Sequence, residues 1–228
     1  MNIENELIES LSNPNTKDIA SGLLEIGIDQ LLDNGLLKEI PIVSTLSKSY
    51  DLVSSIRDRI FIQKLIAFLL SADTITDEDK FRFYNSIGKT KDDKIGEKIL
   101  FAIEKVESIE KSMMIGRLFK SLVLGLITRE EFDKSVFAIT QIFLGDFKHL
   151  TTHPKDLQLV NPPVTNRLYQ YELFEMPLEV IDENGSDLNG KKYVLSPLGV
   201  KFVNSVFTKN IKYKEYSRIE IYKLLEIK

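Results

Sequence analysis

Apolar residues recur at helical spacing through most of the first 150 positions, and proline interrupts that stretch only at Pro14 and Pro41. The pattern predicts a series of amphipathic helices. Thr16 is placed to cap a helix running to about Asp33 and ending at Gly35. Pro41 suits a first helical turn, and a continuous helix is expected from Ile42 to about Ala72. Within it Ile56, Ile60, Phe61, Leu65, Ile66, Phe68 and Leu69 are spaced for burial.

Thr76 followed by Asp79 resembles a capping box, opening a helix through Phe81, Phe83 and Tyr84 to Gly88. A helix from Lys91 to about Val106 carries Ile95, Ile99, Leu100, Ile103 and Val106 on one stripe. The next spans 109–126, with Gly116 inside it. A mid-helix glycine costs about 1 kcal/mol against alanine, so Gly116 is read as permitting close helix contact. Thr128 and Glu131 form a capping box for a helix through Phe132, Val136, Phe137, Ile139, Ile142 and Phe143 to about Leu150.

After that the periodicity fades. Residues 151–166 hold Pro154, Pro162 and Pro163 and read as a Pro-rich linker. A short helix is expected over 166–174, then a strand at 178–181, the turn-rich DENGSDLNG, and a strand at 191–195. Ser196 caps a helix with Pro197 at its first position, running to Phe207. The tail 208–228 fits a strand over 217–223 and also a helical repeat at Ile221, Leu224 and Leu225. The expected architecture is mainly α: a helical domain over 1–150, then a winged-helix-like α+β module over 167–228.

Composition narrows the chemistry. The 228 residues contain no cysteine, which excludes disulfides, thiol nucleophiles and thiolate metal sites. Thirty basic and 34 acidic side chains leave a net charge of −4, so a globally basic nucleic-acid binder is not encoded. Charge is uneven, however: residues 1–34 hold seven acids and one base, whereas 201–228 hold seven bases and three acids. The N-terminus lacks a basic, apolar secretory signal, and no run reaches about 18 apolar residues. The expected location is cytoplasmic.

Catalytic signals are absent from the pattern. His149 and His153 lie four apart, with Asp146 and Asp156 as the nearest extra ligands, but Pro154 argues that the helix has ended there. Serine nucleophile elbows and glycine-rich phosphate loops do not occur. Asp77, Glu78 and Asp79 suit a helix first turn, where negative charge favours the dipole. No catalytic, cofactor or metal residue is therefore assigned, and the chain is read as non-enzymatic.

Two surfaces remain as candidates for binding. In the winged module Arg167, Gln170, Lys191, Lys192, Lys201, Lys209, Lys212 and Lys214 are the candidate nucleic-acid contacts, opposed by Glu172, Glu175, Asp182, Glu183 and Asp187. Residues 35–72 are the most apolar region, fitting a helical core, an interface or a membrane-inserting segment.

The run KEIPIVSTLSKSYDLVSSIRDRIFIQKLIAFL at 38–69 is similar to a pattern in uncharacterised bacterial proteins, in which Ile-Pro-Ile leads to Ser-Ile-Arg-Asp-Arg and Lys-Leu-x-x-Phe-Leu. Further matches are 96–100, 109–132 and the closing YVLSPLG at 193–199. The last resembles the Tyr-x-Leu-Thr-x-x-Gly ending of winged-helix modules, with Ser196 in the threonine position. The organisation also resembles that of Abi-alpha abortive-infection proteins. The resemblance implies a bacterial, cytosolic role in phage defence and carries no catalytic residues. A protein partner or self-association is the expected mode of action. A DNA-binding regulator and a membrane-acting effector are the alternatives.

Overall fold

The computed structural model describes residues 3–13, 15, 16, 18, 19, 22, 35–49, 55–72, 75, 76, 78, 79, 81–83, 94–151, 162–176 and 193–207. The chain is mainly helical and divides into two compact units at residues 140 and 141. The first contains α1 (Ile3–Ser12), a 3-10 turn (Leu36–Glu39), α2 (Pro41–Ser49), α3 (Ile56–Ser71), α4 (Ile95–Lys105), α5 (Ile109–Val123) and α6 (Arg129–Gln141).

The expected continuous helix over 42–72 is two helices. Ser55 adopts extended backbone (φ −124°, ψ 158°) and starts α3 afresh. Its Oγ accepts from the Asp58 amide at 3.2 Å, and the Asp58 carboxylate accepts from the Ser55 amide at 3.1 Å. This reciprocal box satisfies two helix-end donors. Upstream, the Asn13 side chain accepts from the Asn15 amide at 2.9 Å. Thr16, expected as a cap, is buried without a hydrogen-bond partner for its hydroxyl among the described residues. The bulk of that expected helix lies outside them. Ser10 ties α1 to α2, accepting from the Ile42 amide at 2.9 Å.

The boxes at Thr76–Asp79 and Thr128–Glu131 form as expected. The Thr76 hydroxyl and amide bonds hold the Asp79 carboxyl below the usual carboxylate range. The helix opened by Thr128 stops at Gln141, and a separate 3-10 helix, Leu144–Thr151, follows in the second unit.

The centre of the first unit is the α3–α5 contact. Ser112 Oγ donates to the Lys64 carbonyl at 2.8 Å. One turn further along both helices, Gly116 lies against the Phe68 carbonyl and Ser71 Oγ, where a Cβ atom would overlap both. The matched order of these contacts means that α3 and α5 run in the same direction. Phe119, one turn beyond Gly116, packs against Phe68, Phe83 and Phe132 with centroids 5.7–6.2 Å apart. The C-terminal half of α3, from Lys64 to Leu69, is buried all round.

Lys64 is the charged exception in that run. Its Nζ donates to the Glu104 and Val106 carbonyls at 2.8 and 2.9 Å, satisfying the C-terminal end of α4. Burial lowers its pKa from 10.5, opposed by Glu104 and Glu107 and assisted by Arg57.

In the second unit α7 (Pro162–Gln170) opens with two prolines, four residues before the expected start and inside the stretch read as a linker. Glu172 takes the left-handed conformation (φ 59°) that ends it. The Leu173 amide reaches back to the Leu168 carbonyl at 3.0 Å and the Glu172 amide to that of Tyr169 at 3.0 Å, a Schellman closure. The strands β1 (Phe174–Glu175) and β2 (Val194–Leu195) pair antiparallel, Phe174 with Leu195 and Glu175 with Val194. Phe174, expected to end a helix, is thus in the sheet, while the expected strand at 178–181 lies outside the described residues. Helix α8 (Pro197–Val206) is capped as expected, Ser196 Oγ accepting from the Gly199 amide at 2.9 Å. Gly199 is required because a Cβ there would overlap the Leu173 carbonyl. Phe147 and Phe202 stack at 5.5 Å to complete this core. The described elements of this unit run helix, strand, strand, helix, with a sheet of two short strands; the tail 208–228 is outside the described residues.

Two sets of outcomes follow from these contacts. Gly116→Ala and Gly199→Ala should each destabilise by about 1–3 kcal/mol, since the obstructing atoms include backbone carbonyls. Gly145→Ala, with nothing within 4 Å of its added carbon, should stay within about 0.5 kcal/mol. Thermal unfolding of the three variants checks this. Lys64→Met should cost about 1–3 kcal/mol by leaving two carbonyls unmet. The folded chain releases the Lys64 proton at lower pH than the unfolded chain does, so wild-type stability gains as pH rises through the lowered pKa towards 10.5. Urea unfolding across alkaline pH should show that gain in the wild type and lose it in Lys64→Met.

Candidate interaction surface

The first half of α3 behaves differently from the second. Residues 55–57, 59 and 60 are exposed, whereas burial becomes continuous at Lys64. Ile56 is 78% exposed and Ile60 46%, although their spacing matches a buried stripe. Periodicity aligned them on one helix face, but no described element covers that face this far towards the N-terminus.

Helix α5 begins beside this end. The contacts of Ser112 with Lys64 and Gly116 with Phe68 share one offset, which carries Ile109 alongside Ile60 and Phe61. Ile109 is 43% exposed. Ser108 caps α5, its side chain accepting from the Lys111 amide at 3.2 Å. The end of α4 meets the same place through Lys64, and the exposed Arg57 guanidinium bonds the Glu104 carboxylate. Ile56 and Ile60 near the start of α3 and Ile109 at the start of α5 are thus exposed apolar residues on two packed helices. Phe101, 66% exposed, lies one turn before Glu104 on α4.

The ionisable groups in this part of the unit are engaged within the fold. Lys111 is buried, and its Nζ bonds Glu107 at 2.8–2.9 Å. Burial pushes the Glu107 carboxyl up, but the Lys111 hydrogen bond, its own amide and the charges of Lys111 and Lys64 outweigh this and leave it below the usual range. Among the described residues, no group of three or more His, Asp or Glu side chains is arranged to hold a metal. His149 sits in the 3-10 helix, and His153 is outside the described residues. No helix among the described residues is long and apolar enough to cross a membrane.

Three of the candidate nucleic-acid contacts, Arg167, Gln170 and Lys201, lie among the described residues. Arg167 donates from Nε and Nη2 to Asp146 at 2.8 Å, and its guanidinium lies 5.7 Å from the Phe143 ring centroid. Its charge is thus matched by a carboxylate 21 residues away, which sequence spacing does not reveal. Gln170 is exposed at the end of α7, and Lys201 is half-buried on α8. Lys191, Lys192, Lys209, Lys212 and Lys214 lie outside the described residues. Helix α7 also presents an aromatic group. Tyr169 packs against Tyr193 at 5.8 Å, and the Tyr193 hydroxyl donates to Asn166 Oδ1 at 2.6 Å.

Ile56 and Ile60 fall within the 35–72 region already named as a candidate interface, although their spacing predicts a buried stripe; the exposed Ile109 is the position that sequence reasoning missed. The signal available for Ile56 and Ile60 was Ser55 with Asp58, a capping pattern that starts a helix end in the middle of an apolar stretch. Comparison with family models, curated proteins and solved structures finds no match for this chain.

Proposed function

We propose that this chain is a non-catalytic interaction protein acting in bacterial anti-phage defence of the abortive-infection kind. The observation that carries this reading is the exposed apolar surface of Ile56, Ile60 and Ile109. Exposed branched side chains gathered at one helix end are a costly arrangement in water and gain free energy when a partner covers them. The nearby ionisable residues Lys64, Glu107 and Lys111 already serve helix ends and each other. The resemblance of 38–69 and 109–132 to a bacterial pattern, and of the organisation to Abi-alpha proteins, supports the cellular setting.

Association through this surface gives the first unit the binding role, while the helix–strand–strand–helix unit supplies a second face, with Tyr169 and Tyr193 as its aromatic contacts. The rival reading is a DNA-binding regulator, favoured by the basic composition of 201–228. The Arg167–Asp146 pair weighs against it, because a phosphate would compete with a carboxylate already in place.

Phage plating on cells expressing the chain tests the proposal. The wild type should lower plating efficiency, and Ile56→Asp should weaken protection about tenfold or more, the consequence of losing about 1.4 kcal/mol of binding. Plating unchanged by the wild type would contradict the defence role. Anisotropy with labelled duplex DNA at about 50 mM salt should show no binding. Salt-sensitive binding would favour the regulator instead.

A further inference from the structure

We draw no further inference here: the strongest candidate, the exposed isoleucines at the starts of α3 and α5, is an apolar face whose charged neighbours Arg57 and Glu104 are already paired with each other, and nothing in the structure shows what covers it.

Discussion

The approach of α5 to α3 at Gly116 is the constraint from which the first unit is organised. Without a side chain at that position the α5 backbone reaches the Phe68 carbonyl and Ser71 hydroxyl. That separation brings Ser112 within hydrogen-bond reach of the Lys64 carbonyl and sets Phe119 among three other phenylalanines. A bulkier residue at 116 would force the middle of α5 away from the C-terminal end of α3, and the contacts on either side would loosen together. Close-packed interiors transmit such changes rather than absorb them.

The same geometry separates a buried half of α3 from an exposed one. Lys64 sits at the boundary. Its stem packs in the interior while its ammonium closes the end of α4, so one residue joins three helices through the carbonyls it serves and the hydroxyl that its own carbonyl accepts. On the exposed side of that boundary the helix continues for two turns with Ile56 and Ile60 uncovered. Structural demand explains the first half of α3 only as far as its capping box.

Local signals were legible in the sequence where both partners lie within one turn. The boxes at Thr76–Asp79 and Thr128–Glu131 and the Ser196–Pro197 start of α8 form because their chemistry is complete in three or four residues. Gly116 was legible for a related reason: a glycine inside a strong helical pattern carries a cost that a close contact offsets. The break at Ser55 was harder to see, because its Ser–Asp pattern lies between two apolar runs that fit one long helix equally well. Phe174 fits helix and strand alike in a run of Leu, Tyr and Phe, and pairing with Leu195 decides for the strand.

What the sequence concealed is set by distance along the chain. The carbonyls that Lys64 serves lie 40 and 42 residues away, and the carboxylate that engages Arg167 lies 21 away. Periodicity identifies a stripe but not whether another element covers it, which is why Ile56 and Ile60 looked like core. Native-state hydrogen exchange tests the central claim most directly. If the α3–α5 contact organises the first unit, the slowest-exchanging amides there should lie in the Lys64–Ser71 half of α3 and in α5 around Gly116, opening only with the whole unit. Slowest exchange in α1 or α6, with these two segments opening first, would contradict it.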